Sequence, residues 1–292
     1  MKYAFIKANR SAFSIQKMCQ VLEVSKSGYY KHQTNPGSQR DKDNNMLLNR
    51  IQNIHKDNKG RYGSPRIKEQ LDKEKVTCGK NRVARLMSKN NIKAKNRRKY
   101  KNTTDSNHNH PVANNLLKQD FTATGPNQKW VSDITYIYTQ EGWLYLAVVL
   151  DLFSRKVVGW SMGDRINKDL TINALRQAMN RRGINAGLIL HSDRGSQYAC
   201  YDYIHLVKEN RFVQSMSGKG NCYDNAVMES FFKTLKIEEV YWEIYLTRDA
   251  ARKSIFEYIE CYYNGKRMHS SLGYMSPQEF ENAKILSPTT VH

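Results

Sequence analysis

HSDRGSQY (residues 191–198) and SGKGNCYDNAVMESFFKTLK (residues 217–236) carry the decisive reading of this 292-residue chain. The first string follows an apolar run, Gly187 to Leu190, that reads as a buried strand. Asp193 therefore falls at a strand's carboxyl end, where α/β proteins place ligand sites. The second string reads as a helix: no Gly or Pro occurs from Asn221 to Val240, and Val227, Met228, Phe231, Phe232 and Leu235 recur at helical spacing as a buried stripe. Asn225, Glu229, Lys233 and Lys236 share a different face, which sets one acid beside two bases. Thirty-five residues separate Asp193 from Glu229, and 59 separate Asp193 from a third carboxylate upstream, Asp133. It sits within KWVSDITYIY, whose Trp, Val, Ile, Thr and Tyr content reads as a strand.

Three carboxylates from two strands and a helix, brought to one point, repel each other and raise their own pKa values unless a cation joins them. Oxygen-only ligands, with no Cys or His cluster, favour Mg²⁺ or Mn²⁺ over zinc. Two such ions about 4 Å apart can activate a water or a 3′-hydroxyl and stabilise the leaving oxygen of a phosphodiester. The expected chemistry is in-line phosphoryl transfer on a nucleic acid, with Asp133, Asp193 and Glu229 as catalytic residues and ligands of both ions.

With that spacing the three acids resemble the D,D(35)E triad of transposases and retroviral-type integrases, and Lys236, seven residues beyond Glu229, matches the basic residue those enzymes carry there. The strings KWVSDITYI, LDLFSRKVVGW, HSDRGSQY, SGKGNCYDNAVMESFFKTLK and YYNGKRMHSSLGYMSPQEF closely resemble the second-frame (OrfB) product of the IS-three family of insertion sequences, over nearly the whole chain. The resemblance implies cleavage at an element's ends and joining through a freed 3′-hydroxyl, with a first attack that joins end to end into a circle that later inserts. It also implies double-stranded DNA as partner, both terminal inverted repeats and target, and contact of Lys236 with the terminal DNA. Because two ends must be joined, a homo-oligomer, dimer or larger, is expected on DNA. The family usually fuses a first frame (OrfA), with its own helix-turn-helix and coiled coil, onto the second by frameshifting. This chain shows no sustained heptads, so it is either part of the active enzyme, with OrfA as a possible partner, or a complete enzyme from an unfused variant.

The net charge of +20 is unevenly spread. Residues 1–110 hold 26 Lys and Arg against 8 Asp and Glu, whereas residues 111–292 hold 21 against 19. The basic third is the expected main DNA grip and the near-neutral remainder the enzyme core, although RNA or an anionic membrane surface would also attract such charge. No apolar run of about 18 residues and no signal-peptide pattern occurs, which predicts a protein acting in the bacterial cytoplasm, at the nucleoid, and no membrane partner. Cys19, Cys78, Cys200, Cys222 and Cys261 are odd in number and never form a CxxC, so reduced thiols are expected and no zinc module.

Residues 1–42 read as a helix-turn-helix, in which Ser14 caps a helix through Leu22, Glu23 to Ser25 turn, and a second helix bears Tyr29, Tyr30 and Lys31 as DNA contacts. Residues 43–95 read as a second such unit: an amphipathic helix Met46 to Asp57, then GRYGSPRIKEQL with Ser64 as cap and Pro65 at the first helical position, then Lys80 to Asn90. Arg66, Lys80, Arg82 and Arg85 are its phosphate candidates. Small helical pairs with a basic face also occur as plain structural units, and it is the resemblance that places DNA-binding helices here. Residues 96–127 read as a basic polar linker in which Arg97 and Arg98 either lie along DNA or are merely solvated.

From residue 128 to 285 the order of elements is strand, strand, strand, helix, strand, helix, strand, helix, with further helices after Thr247 and Pro277. The three strands are Lys129 to Tyr138, Trp143 to Leu152 and Lys156 to Met162, and helices cover Asp169 to Arg182 and Gln197 to Asn210. This is the order of the ribonuclease-H-like integrase core, an α/β architecture, here preceded by all-α helix-turn-helix domains.

Other polar residues have plainer roles available. Asp151 ends an apolar strand but has Ser154 and Arg155 as local partners, and Asp224 is placed to bond the first-turn amides of the helix bearing Glu229. His191 is either a site residue or a packed strand residue. Lys233 is either a DNA contact or an i,i+4 partner of Glu229. Arg194 and Lys219, the latter between two glycines in a flap-like loop, are further DNA candidates. Two other functions share these features, a DNA-binding regulator keeping the core as scaffold and a ribonuclease-H-like nuclease or junction resolvase. The complete triad weighs against the first and the paired helical units against the second.

Overall fold

The computed structural model describes residues 1–34, 39–96, 113–183, 186–218 and 222–286. The chain divides into two compact units, Met1–Ala94 and Lys95–His292.

The first unit is all helical. Helices α1 (Lys2–Ala8), α2 (Ile15–Val21) and α3 (Lys26–Thr34) pack Ile6, Met18, Cys19 and Tyr29 into one small core. Ser14 caps α2 by accepting the Lys17 amide at 3.3 Å, and Glu23 takes the left-handed φ of 54° that turns the chain toward α3. Helix α4 (Gln39–Asp57) starts earlier than the apolar pattern from Met46 predicts, because Asp41 favours the first turn and Gln39 bonds Asp43 one turn on. It packs with α5 (Ser64–Lys73) and α6 (Lys80–Lys89), burying Leu47, Ile51, Ile67, Leu71, Val83 and Met87. Ser64 does not cap α5: Gly63 holds the cap position without a side-chain bond, and Ser64 is already helical.

The second unit is built on a five-stranded sheet in the order β3-β2-β1-β4-β5, from β1 (Lys129–Thr139), β2 (Gly142–Asp151), β3 (Val157–Gly163), β4 (Ile189–Ser192) and β5 (Val213–Met216). β1, β2 and β3 are antiparallel neighbours, whereas β4 runs parallel to both β1 and β5. Helices α7 (Lys168–Arg182) and α8 (Tyr201–Glu209) cover one face around Trp130, Ala147, Val149, Leu175 and Leu190. The alternate residues Leu144, Leu146, Val148 and Leu150 are buried on the other, where α9 (Ala226–Glu238) and α10 (Arg248–Phe256) pack. α7 lies so close to β3 that a Cβ on Gly159 would stand 2.2 Å from the Ala174 carbonyl. α8 begins at Tyr201 rather than Gln197, since the preceding residues turn, the Tyr198 amide bonding the Gly195 carbonyl at 3.0 Å. α10 runs on as a π-helix over Glu257–Tyr263, and α11 (Pro277–Leu286) closes the described chain.

Candidate active site

Parallel pairing of β1 with β4 ends at Ser132 opposite Ser192. Asp133 and Asp193 are the next residue on each chain, so register alone sets them side by side where β4 stops and β1 runs on. Beyond this point β1 has lost its neighbour on that edge, and α9 packs against the strand with Glu229 in its first turn. All three acids are half-buried. Asp133 Oδ1 accepts the Ile134 amide at 2.7 Å and Asp193 Oδ1 accepts the Gly195 amide at 3.0 Å. A Cβ on Gly195 would sit 3.0 Å from that same Asp193 oxygen, so glycine keeps the turn clear of the acid.

The electrostatics show one shared field. Burial pushes the Asp133 carboxyl well above the usual range; Asp193 and Glu229 push it further, while the Ile134 amide and Lys236 oppose them. Burial also raises Glu229 and lowers the Lys236 ammonium, which Asp133 in turn supports. In the core on the other face of β1 lies the buried Tyr198, whose hydroxyl is 3.1 Å from Ser132 Oγ and whose ionisation is opposed first by burial and then by Asp133 and Asp193. Tyr198, Ser132 and Gly195 are the supports that pattern reading passed over; the HSDRGSQY string contains two of them, but only the strand register shows what they touch. Among the described residues, no three His, Cys, Asp or Glu side chains already close around a point that could hold a metal ion. Hard oxygen donors just past the end of β4, on the adjacent β1 and on a facing helix nevertheless fit a divalent cation, and would shed their mutual repulsion on binding one.

The remaining expected residues fall out differently. Lys236 is largely buried, its Nζ 4.6 Å from the Tyr136 ring centroid. Lys233 is exposed and forms no ion pair with Glu229 among the described residues. Arg194 spends its Nε on the Ser217 carbonyl at 2.6 Å. His191 is a packed strand residue, bonded to the Ser215 hydroxyl at 2.8 Å and the Ser217 hydroxyl at 3.2 Å, with burial taking its pKa down to about 4. Asp224 is buried and receives the Gly218 amide at 2.7 Å and Asn115 Nδ2 at 2.8 Å, which ties together segments distant in sequence. Asp151 is an ion-pair residue, but its cation is Arg182 at 3.1 Å rather than Arg155.

In the first unit Tyr29, expected at a DNA surface, is only 2% exposed and belongs to the core, its hydroxyl taken by Gln33 at 2.6 Å. Its helix turns Tyr30 and Lys31 outward instead. Lys80 and Arg85 are exposed, Arg82 bonds Asn44 at 2.9 Å, and Arg66 lies over the Tyr62 ring. Lys219, Arg97 and Arg98 lie outside the described residues.

Comparison with known proteins adds the lineage. Models of the integrase core domain match residues 123–222 and 229–285, and a model of an HTH-like domain matches residues 42–100. The transposase InsF of insertion sequence IS3A from Escherichia coli K12 is 43% identical over 287 residues, covering 98% of this chain and 100% of that protein. The chain belongs to the IS3 family of insertion-sequence transposases. A 31 kDa protein of insertion element IS600 from Shigella sonnei is 46% identical over 263 residues, covering 90% of this transposase and 97% of that protein. Among solved structures, a simian T-cell lymphotropic virus intasome chain aligns with a TM-score of 0.47 at 18% identity over 64% of this chain and 63% of its own. The transposase is thus an enzyme of DNA transposition, an α/β integrase core accompanied by an HTH-like region. Among the described residues no helix is long and apolar enough to cross a membrane.

Proposed function

We propose that this transposase cleaves the ends of its element and joins the freed 3′-hydroxyls to another phosphodiester, with Asp133, Asp193 and Glu229 as the catalytic acids. The observation that carries the reading is the register, which makes Asp133 and Asp193 neighbours at the end of β4 with Glu229 on the helix packed against β1. The three carboxylates would hold two divalent cations, Mg²⁺ or Mn²⁺, which when bound supply Lewis acidity and activate the attacking hydroxyl. The chain's own share is positional. The Ile134 and Gly195 amides fix the two aspartates, and Tyr198 packs behind β1 against Ser132, the neighbour of Asp133. Lys236, next to Asp133, is the cation that would meet a terminal phosphate.

The partners follow from the chemistry. Terminal inverted repeats and target DNA are the substrates, gripped by the basic first third through Tyr30, Lys31, Arg66, Lys80, Arg82 and Arg85. Two ends require at least a dimer on DNA in the bacterial cytoplasm, and an OrfA segment of the same element is a further candidate partner.

The test is strand transfer in vitro with labelled linear DNA ending in the element's own termini and Mg²⁺ or Mn²⁺. Asp193→Asn and Glu229→Gln should each reduce joining by about 10³-fold or more while retaining end binding. Joining retained in either variant would remove that residue from the catalytic set.

A further inference from the structure

The transposase holds a groove of whose lining the catalytic reading uses Lys236 alone. About 650 Å³ in volume, it lies between the β1–β2 hairpin, through Tyr136, Tyr138, Gln140 and Trp143, and the segment after α9, through Val240, Tyr241, Glu243, Ile244 and Tyr245. Tyr138 pairs directly with Trp143 across the hairpin, and Tyr136 lies two residues along β1, so strand alternation puts all three rings on one face. They form a continuous edge-to-face run, with centroids 5.0 Å apart for Tyr136–Trp143 and 5.3 Å for Tyr138–Trp143. Yet they are 40%, 65% and 45% exposed, an unusual amount of aromatic surface to leave in water.

We infer that this groove is a stacking subsite for unpaired bases at the DNA end being processed. The inference rests on the proposed catalytic role of Asp133. Continuity with that site points to the occupant: Lys236 acts on Asp133 and lies over the Tyr136 ring, so groove and acids meet at one cation. At about 3.3 Å per strand residue the Tyr136 backbone is about 10 Å from that of Asp133, about three nucleotides at 3.4 Å each; the odd separation puts ring and carboxylate on opposite faces of β1, so the strand would pass round the edge of β1 beyond its last β4 partner, Ser132. The charges in the groove decide which part of the strand it receives. Among the described residues that line it, one cation, Lys236, and one acid, Glu243, do not make a phosphate channel, and Arg248 nearby spends its Nε on the Trp143 carbonyl at 3.1 Å. Exposed ring faces accept any base by stacking, and Glu243 and Gln140 can accept bonds from exocyclic amino groups on base edges. A paired duplex hides those base faces, so the terminal nucleotides must leave the stack, an unpairing that stacking on the rings offsets.

The test uses the full chain and end duplexes carrying 2-aminopurine at one of the last three positions. Wild type should change the probe's emission on binding, and Tyr138→Leu and Trp143→Leu should each abolish the change while binding the duplex normally by anisotropy. The same variants should lower joining of fully paired ends about tenfold, whereas terminal mismatches that unpair the bases in advance should recover part of that loss, and Trp143→Phe should rescue. Wild-type emission changes and joining in both leucine variants would overturn the subsite. So would loss of duplex binding or a change of oligomeric state by light scattering, which would make the hairpin a duplex or protein contact. The emission readout needs no catalysis: failure of the wild type to join DNA would sink the catalytic proposal, whereas an unchanged probe in a wild type that joins DNA would sink only the groove.

Discussion

Asp151 closes β2 and Asp133 lies on the neighbouring strand of the same sheet, yet the chain surrounds the two acids differently. Asp151 is fully buried and receives the Asn127 amide at 2.8 Å, the Phe153 amide at 2.9 Å and the Arg182 guanidinium at 3.1 Å. Arg182 reaches on to Glu281 at 2.6 Å, which also takes the Ser154 hydroxyl at 2.6 Å and Lys156 at 3.3 Å. Glu238 on α9 is held in the same manner by Arg267 at 2.8 Å and the Tyr258 hydroxyl at 2.9 Å. Asp133 instead has two further acids in its field, opposed by one amide and one partly desolvated lysine. Acids that brace the fold come with a guanidinium encoded in the chain. Those of the candidate site are left short of positive charge, an arrangement that costs stability and suits a group that must receive a cation and substrate.

The sharpest way to break this contrast is Asp133→Asn. Joining should fall about 10³-fold or more. The melting temperature in metal-free buffer should stay level or rise by about 2–4 °C, since a neutral amide keeps the Ile134 bond and removes a repelled charge worth about 1 kcal/mol. A fall in melting temperature would mean that Asp133 braces the fold like Asp151.

Arg182→Met should do the reverse, leaving Asp151 and Glu281 buried without their shared cation. The expected cost is about 3–5 kcal/mol, or roughly 6–20 °C by calorimetry, with end binding retained at low temperature. Glu281→Gln is smaller, about 1.5–3 kcal/mol, because the amide still packs and bonds. Its pH dependence tests the sign. Arg182, Ser154 and Lys156 hold the Glu281 carboxyl below its ordinary value despite burial, so its stabilisation is fully present above the usual carboxylate range and is lost as pH falls through the lowered value. Asp151 works the other way, burial outweighing Arg182 and raising it, which is why the wild-type curve alone cannot report on Glu281. The difference between wild type and Glu281→Gln should be largest near pH 7 and shrink below about pH 4. A difference that grows on acidification would reverse the assignment.

What was legible in the sequence follows the range of the interactions. The alternation in KWVSDITYIY and the apolar stripe of the Glu229 helix are local, and the α/β order of strands and helices follows from them. That Asp133, within β1, sits beside Asp193, just past the end of β4, is a matter of register, which no local pattern encodes; the spacing reached it through resemblance. Tyr29 shows the opposite failure: a Tyr-Tyr-Lys run reads as a DNA-facing surface, but the helix turns one ring into the core and the other out. The partner of Asp151 was misread because the nearest arginine in sequence is Arg155, whereas the one in space arrives from the end of α7, 31 residues away.

Arg155→Asn gives the smallest expected effect and tests that last distinction. Arg155 takes a left-handed φ of 60°, its guanidinium carries a buried Nη1 without a bond among the described residues, and burial lowers its pKa. Its backbone amide, not its side chain, bonds the Asp151 carbonyl at 2.8 Å, so the turn survives substitution. Asparagine tolerates the left-handed region better than most residues and removes a poorly solvated charge. What the variant loses is a weak attraction to Asp151, which Arg182 already neutralises. The two effects oppose each other, and stability should change by no more than about 1 kcal/mol, or about 2–4 °C. If Arg155→Asn instead destabilised as much as Arg182→Met, the acid at the end of β2 would draw on both arginines, and the brace would extend into the turn that the local sequence first suggested.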